Sequence, residues 1–114
     1  MALHYNIKEL IAQTMEEEYD LKDQILAYRS ELIFRIEKIE KAIKKKNYEK
    51  VVKHTDKSTK ILFSLGMEEA IDWNNEMKEW ALKQGKKSEI IEIFSAFKKS
   101  VNRAIKELSR DYKL

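Results

Sequence analysis

The chain has 114 residues, with 43% apolar and 38% charged residues, two glycines, and neither proline nor cysteine. That length suits one domain with one core, and the composition excludes disorder, disulfide scaffolds and the turn-rich sheet folds that depend on Pro and Gly. The 23 Lys and Arg are interspersed with 20 Asp and Glu for a formal net charge of +3, a pattern that argues against a nucleic-acid partner.

The first helix is predicted over about 6–18, with Asn6 as its N-cap and Ile7, Leu10, Ile11 and Met15 as its apolar face. Glu16, Glu17 and Glu18 crowd its C-terminal end, where the helix dipole disfavours carboxylates, so it should stop there. Leu21, Ile25, Tyr28, Leu32, Ile36, Ile39 and Ile43 recur at steps of three and four and define one face of a long second helix ending near Lys46. Leu26, Ile33 and Phe34 lie off that face and are free to receive the first helix or a partner. The run Lys44, Lys45 and Lys46, with Lys41 nearby, reads as a solvated helix end in preference to an anion-binding site, since cations suit a C-terminus.

Asn47 is placed to cap a third helix from Tyr48 to about Leu65, with Val51, Thr55, Ser58, Leu62 and Leu65 inward. Gly66 can supply the left-handed residue that ends it. Met67, Ala70, Ile71, Asn74, Met77 and Ala81 line a fourth helix flanked by Trp73 and Trp80, and Gly85 ends that one. Ser88 is expected to cap a fifth, whose face reads Ile90, Phe94, Phe97, Val101, Ala104, Ile105, Leu108 and Tyr112. Short links force consecutive helices antiparallel. The expected fold is therefore all-α, a single domain over 1–114. It is an up-and-down antiparallel four-helix bundle over about 20–113 with a short additional N-terminal helix.

No stretch approaches the roughly 20 apolar residues of a membrane span, and no signal-peptide pattern opens the chain, so a membrane partner is not expected and a cytoplasmic location is. Catalytic constellations are equally scarce. Two histidines, His4 and His54, are too few for a histidine-rich metal cluster or for a Ser-His-Asp set. The carboxylates Glu16 to Glu18, Glu68 and Glu69 lack the Glu-x-x-His partner of a di-iron bundle, and no glycine-rich phosphate loop is present. Neither metal nor cofactor is implied. Trp73 and Trp80 read as packing residues, and Asn74 as a hydrogen-bonded core amide.

The segments Asn47-Tyr48-Glu49, His54-Thr55-Asp56-Lys57-Ser58-Thr59, Leu65-Gly66-Met67 and Gln84-Gly85-Lys86 follow one another in an order that resembles the histidine-containing phosphotransfer (HPt) domains of two-component signalling. The likeness runs over nearly the whole chain. It implies a four-helix bundle that is not an enzyme but at most a phosphocarrier, with a response-regulator receiver domain or a histidine kinase as partner. Read locally, His54 is the phosphoacceptor, Lys57 the cation one turn on, and Ser58 the small residue that lets a receiver approach. Read in gap-free register with the family, the acceptor position falls ten residues before Gly66 and nine after Asn47, on Asp56.

Helix geometry separates the two readings. Asp56 points about 140° from the inward stripe, and His54 about 60° from it on the other side, near the core boundary. This favours a domain that keeps the HPt shape without the chemistry and grips its partner as an adaptor. A packing histidine at a helix edge is the simplest reading of His54 alone. The docking surface is expected around Asp56, comprising Val52, Lys53, Asp56, Thr59, Lys60 and Phe63 with the adjoining face of the second helix. A different class of function, a helical chaperone or assembly adaptor that buries a partner helix, is motivated by Leu26, Ile33 and Phe34.

Overall fold

The computed structural model describes residues 4–17 and 20–114, with the side chains of Glu16 and Glu17 excepted. The described residues are all helical or connecting, in five helices: α1 (Lys8–Glu17), α2 (Leu21–Lys44), α3 (Tyr48–Ser64), α4 (Glu68–Leu82) and α5 (Lys87–Asp111). Glu18, the expected end of the first helix, lies outside the described residues.

The periodic stripes become the core. Ile25, Leu32, Ile36, Ile39 and Ile43 of α2, Val51, Thr55, Ser58 and Leu62 of α3, Met77 and Ala81 of α4, and Phe97, Val101, Ala104 and Leu108 of α5 are all buried. At about 1.5–3 kcal/mol for each fully buried large aliphatic or aromatic side chain, this cluster is the main favourable term in folding. Helix α2 packs on α3, α3 on α4, α4 on α5, and α2 also meets α5, relations compatible with an up-and-down four-helix arrangement. Two long-range bonds tie opposite ends. Arg29 Nη1 donates to Ser109 Oγ at 3.2 Å, and Tyr48 Oη donates to the Gly85 carbonyl at 2.9 Å. No helix among the described residues is long and apolar enough to cross a membrane.

Three local expectations are corrected. Helix α1 buries Leu10 and Thr14, with Ile7 buried just ahead of it, and leaves Ile11 and Met15 exposed. The preceding residues decide which side turns inward. The His4 amide donates to Glu107 Oε1, Tyr5 Oη to Asp111 Oδ2, and the Asn6 amide to the Leu65 carbonyl, which clamps the entry to α1 across α5 and the α3–α4 turn. At the end of α4, the left-handed residue is Gln84 (φ 51°) and not Gly85. Gly85 serves close approach instead, because a Cβ there would run into the Trp80 indole. The N-cap of α5 is Lys86 and not Ser88: the Lys86 amide donates to Glu89 Oε1 at 3.0 Å, half of a capping box.

Asparagine oxygens serve two other helix starts as expected. Asn47 Oδ1 accepts from the Lys50 amide at 3.2 Å, and the Asn6 side chain accepts from the Lys8 amide at 3.1 Å. Gly66 adopts φ 58°, and a Cβ there would collide with the Asn6 backbone. The link after α3 thus needs glycine twice over, for its left-handed turn and for the clamp that seats α1.

Candidate functional site

Helix α3 carries two different surfaces because its residues repeat every 3.6 positions. Lys53, Lys57 and Lys60 are exposed along one strip, and the first two border α2. Val52, Asp56, Thr59 and Phe63 follow a second strip toward α4. The expected docking residues are thus shared between the two strips. Lys53 lines a cleft with His54 and Lys57, whereas Phe63 lies by Asn6 and Ile71 at the other end of the helix.

His54 is 7% exposed and faces α2. Arg35 Nη1 donates to its Nδ1 at 2.9 Å, and Arg35 Nη2 reaches back one turn to Glu31 Oε1 at 3.2 Å. A guanidinium has donors only, so Nδ1 must be the acceptor and the neutral ring carries its proton on Nε2. Burial, then the charges of Arg35, Lys53, Lys38 and Lys57, hold the imidazole below its ordinary pKa of 6.5. Neither ring nitrogen then offers a free lone pair. One is spent on Arg35 and the other holds the proton, so attack on a phosphoryl group needs this ring to be released first.

The other members of the local acceptor pattern are dispersed. Ser58 is fully buried, and its hydroxyl donates to the His54 carbonyl at 2.8 Å, so it is committed to the helix interior. Lys57 is exposed on the rim of the α2–α3 cleft. Asp56 is exposed on the opposite side and pairs with Lys78 of α4 at 2.8 Å. Among the described residues no group of acidic or histidine side chains could hold a metal near it.

Between α3 and α4 runs a polar seam. Thr55 and Thr59 bond back to the carbonyls of Val52 and Thr55. Asn74 Nδ2 donates to the Thr55 carbonyl at 3.0 Å and to Thr59 Oγ1 at 3.2 Å, the core amide expected from its position. Asn74 Oδ1 and Arg35 Nε are buried without a partner.

None of the comparisons with known proteins, whether family models, curated sequences or solved structures, returns a match. The site must be judged on its own chemistry.

Sequence reading alone passed over Arg35 and Lys38 and took Lys41 and Lys45 as part of a solvated helix end. The signal was present: Arg35, Lys38, Lys41 and Lys45 step by three, three and four, and Lys50, Lys53 and Lys57 by three and four. Both series are helical faces, offset from the apolar stripes. Across the α2–α3 seam they meet around His54 and line one cleft of about 530 Å³. Phe34 sits at its edge, 45% exposed, with Arg35 Cζ 5.1 Å and Lys38 Nζ 5.3 Å from its ring centroid.

Proposed function

We propose that this chain is an interaction domain of HPt type, an up-and-down four-helix bundle that docks a response-regulator receiver or histidine-kinase domain and does not relay phosphate through His54. One observation carries the second half of this reading: the His54 imidazole is buried, with Nδ1 held by the Arg35 guanidinium. A phosphoacceptor must meet a receiver's aspartyl phosphate in line, and this ring stands behind a guanidinium in a helix–helix seam. The register position of the acceptor falls on Asp56, whose charge is offset by Lys78.

The docking half rests on surface chemistry. Lys53, Lys57 and Lys60 give α3 an exposed cationic strip, and Phe34 and Phe63 stand 45% and 58% exposed near its two margins. A receiver presents an acidic phosphorylation pocket within a partly apolar face, so lysines and aromatic rings meet complementary groups. The test is incubation with a panel of phosphorylated and unphosphorylated receivers, reading acid-labile, base-stable label and complex formation separately. The expected outcome is saturable binding that Lys53→Glu and Phe34→Ala weaken, with no label on the chain. Label that disappears in His54→Ala would overturn the non-relaying reading, and no binding to any receiver in the panel would count against docking.

A further inference from the structure

The α2–α3 cleft holds more positive charge than packing requires. Six lysines line it, Lys38 and Lys41 of α2 with Lys45 at its C-cap, and Lys50, Lys53 and Lys57 of α3, and no carboxylate does. Arg35 is balanced by Glu31, but none of the six lysines forms an ion pair among the described residues. The whole chain nets only +3, so the residues outside this cleft are together net negative. Charge is thus segregated, although the sequence looks mixed when read linearly. Opposing rows of ammonium groups repel one another, an arrangement that costs stability unless an anion lies between them.

We propose that this cleft binds a small anion bearing several phosphate groups, a linear polyphosphate or a nucleoside polyphosphate, between the two rows of lysines. The volume of about 530 Å³ falls within the range of small-molecule sites, roughly 300–1,000 Å³. From Lys38 to Lys45 the helix rises about 10 Å at 1.5 Å per residue, long enough for the row to run the length of a chain of three phosphates. Lysines act as mobile point charges and tolerate the varied oxygen positions of such a chain. The depressed His54 pKa agrees with this field, because Lys53, Lys38 and Lys57 contribute to it after burial and Arg35.

The cleft shares Lys53, Lys57 and Phe34 with the proposed docking face, but an anion that binds in the absence of any partner protein tests it independently of that reading. Isothermal titration calorimetry of the full chain with tripolyphosphate, ATP and an oligoglutamate of equal charge, at low and high salt, tests it. Saturable binding of tripolyphosphate is expected, weakening as salt rises. The double variant Lys41→Glu/Lys53→Glu should lose roughly tenfold or more in affinity. The matched control Lys98→Glu/Lys99→Glu, on the exposed face of α5, changes net charge equally and should stay within about twofold. Circular dichroism and thermal melts verify that both variants fold. Equal affinity for ATP and tripolyphosphate assigns recognition to the phosphates. Tighter ATP binding, lost in Phe34→Ala, adds a base at the aromatic edge. The proposal is overturned by no saturable binding at low salt, by equal losses in the two double variants, or by tighter binding of oligoglutamate, which would identify an acidic protein segment as the occupant.

Discussion

Replacing His54 by Gln offers a direct measure of how the ring is held. Glutamine keeps an acceptor for Arg35 Nη1 but does not titrate. In the folded chain, burial and the charges of Arg35 and Lys38 on α2 and of Lys53 and Lys57 on α3 push the imidazole pKa below 6.5. The unfolded chain, with its ring in water, takes up a proton near 6.5. The folded state therefore binds fewer protons, so the stabilising contribution is full above pH 6.5 and is lost as pH falls from there toward the folded pKa. The limiting slope is about 1.4 kcal/mol per pH unit, so between pH 7.5 and 5.5 the wild type should lose up to about 1.4 kcal/mol more than His54→Gln. Urea unfolding followed by the fluorescence of Trp73 and Trp80 at a series of pH values gives both curves. All groups other than residue 54 are common to both proteins and cancel in the difference. A difference that stays constant across this range would refute the buried, guanidinium-held imidazole. One that grows in favour of the wild type on acidification would mean that a carboxylate, not Arg35, faces the ring.

Gly66→Ala should cost about 2–3 kcal/mol in urea unfolding, since an L-residue in the left-handed region costs about 1 kcal/mol and the bond from the Asn6 amide to the Leu65 carbonyl is lost as well. Faster exchange of the Asn6 amide would locate the damage, and an unchanged midpoint would count against the clamp on α1. Gly85→Ala drives a methyl into the Trp80 indole, whose Nε1 donates to the Lys86 carbonyl at 2.8 Å; a loss of about 1–3 kcal/mol and a shifted tryptophan emission are expected. Wild-type emission in that variant would mean that the ring does not lie against the turn.

The stripes of α2 to α5 were legible because each long helix repeats its apolar residues over four or more turns, and only one rotation about the axis buries them together. Helix α1 was legible as a helix but not in its rotation. Ile7, Leu10, Ile11 and Met15 spread over too wide an arc for a short element to choose a side, and the choice is made by bonds from His4, Tyr5 and Asn6 to distant residues. The cap of α5 was missed for a related reason. Ser88 has the better side chain for an N-cap, yet the chain turns into helix at Lys87, where Glu89 can reach the Lys86 amide. Glycine was expected to end α4, but Gln84 takes the left-handed turn, and Gly85 is needed at the next position because Trp80 leaves no room for a Cβ there.

The site was half legible, and the missing half explains the rest. The wheel of α3 placed His54 near the core boundary using spacing alone, and its observed exposure is 7%. No wheel of one helix can name the residue across the seam, and Arg35 decides the chemistry. Without it, a half-buried neutral imidazole would retain a free nitrogen and a route to nucleophilic attack. With it, one nitrogen accepts from a permanent cation, and the positive field around the ring further opposes a proton. The same interdigitation that occupies the histidine gathers Lys38, Lys41 and Lys45 opposite Lys50, Lys53 and Lys57. A neutral histidine beneath such a cluster adds no further repulsion, whereas a protonated one would. The Arg35 contact and the lysine-lined cleft are therefore consistent parts of one arrangement: it keeps the imidazole uncharged and leaves the cationic rim to meet an anion.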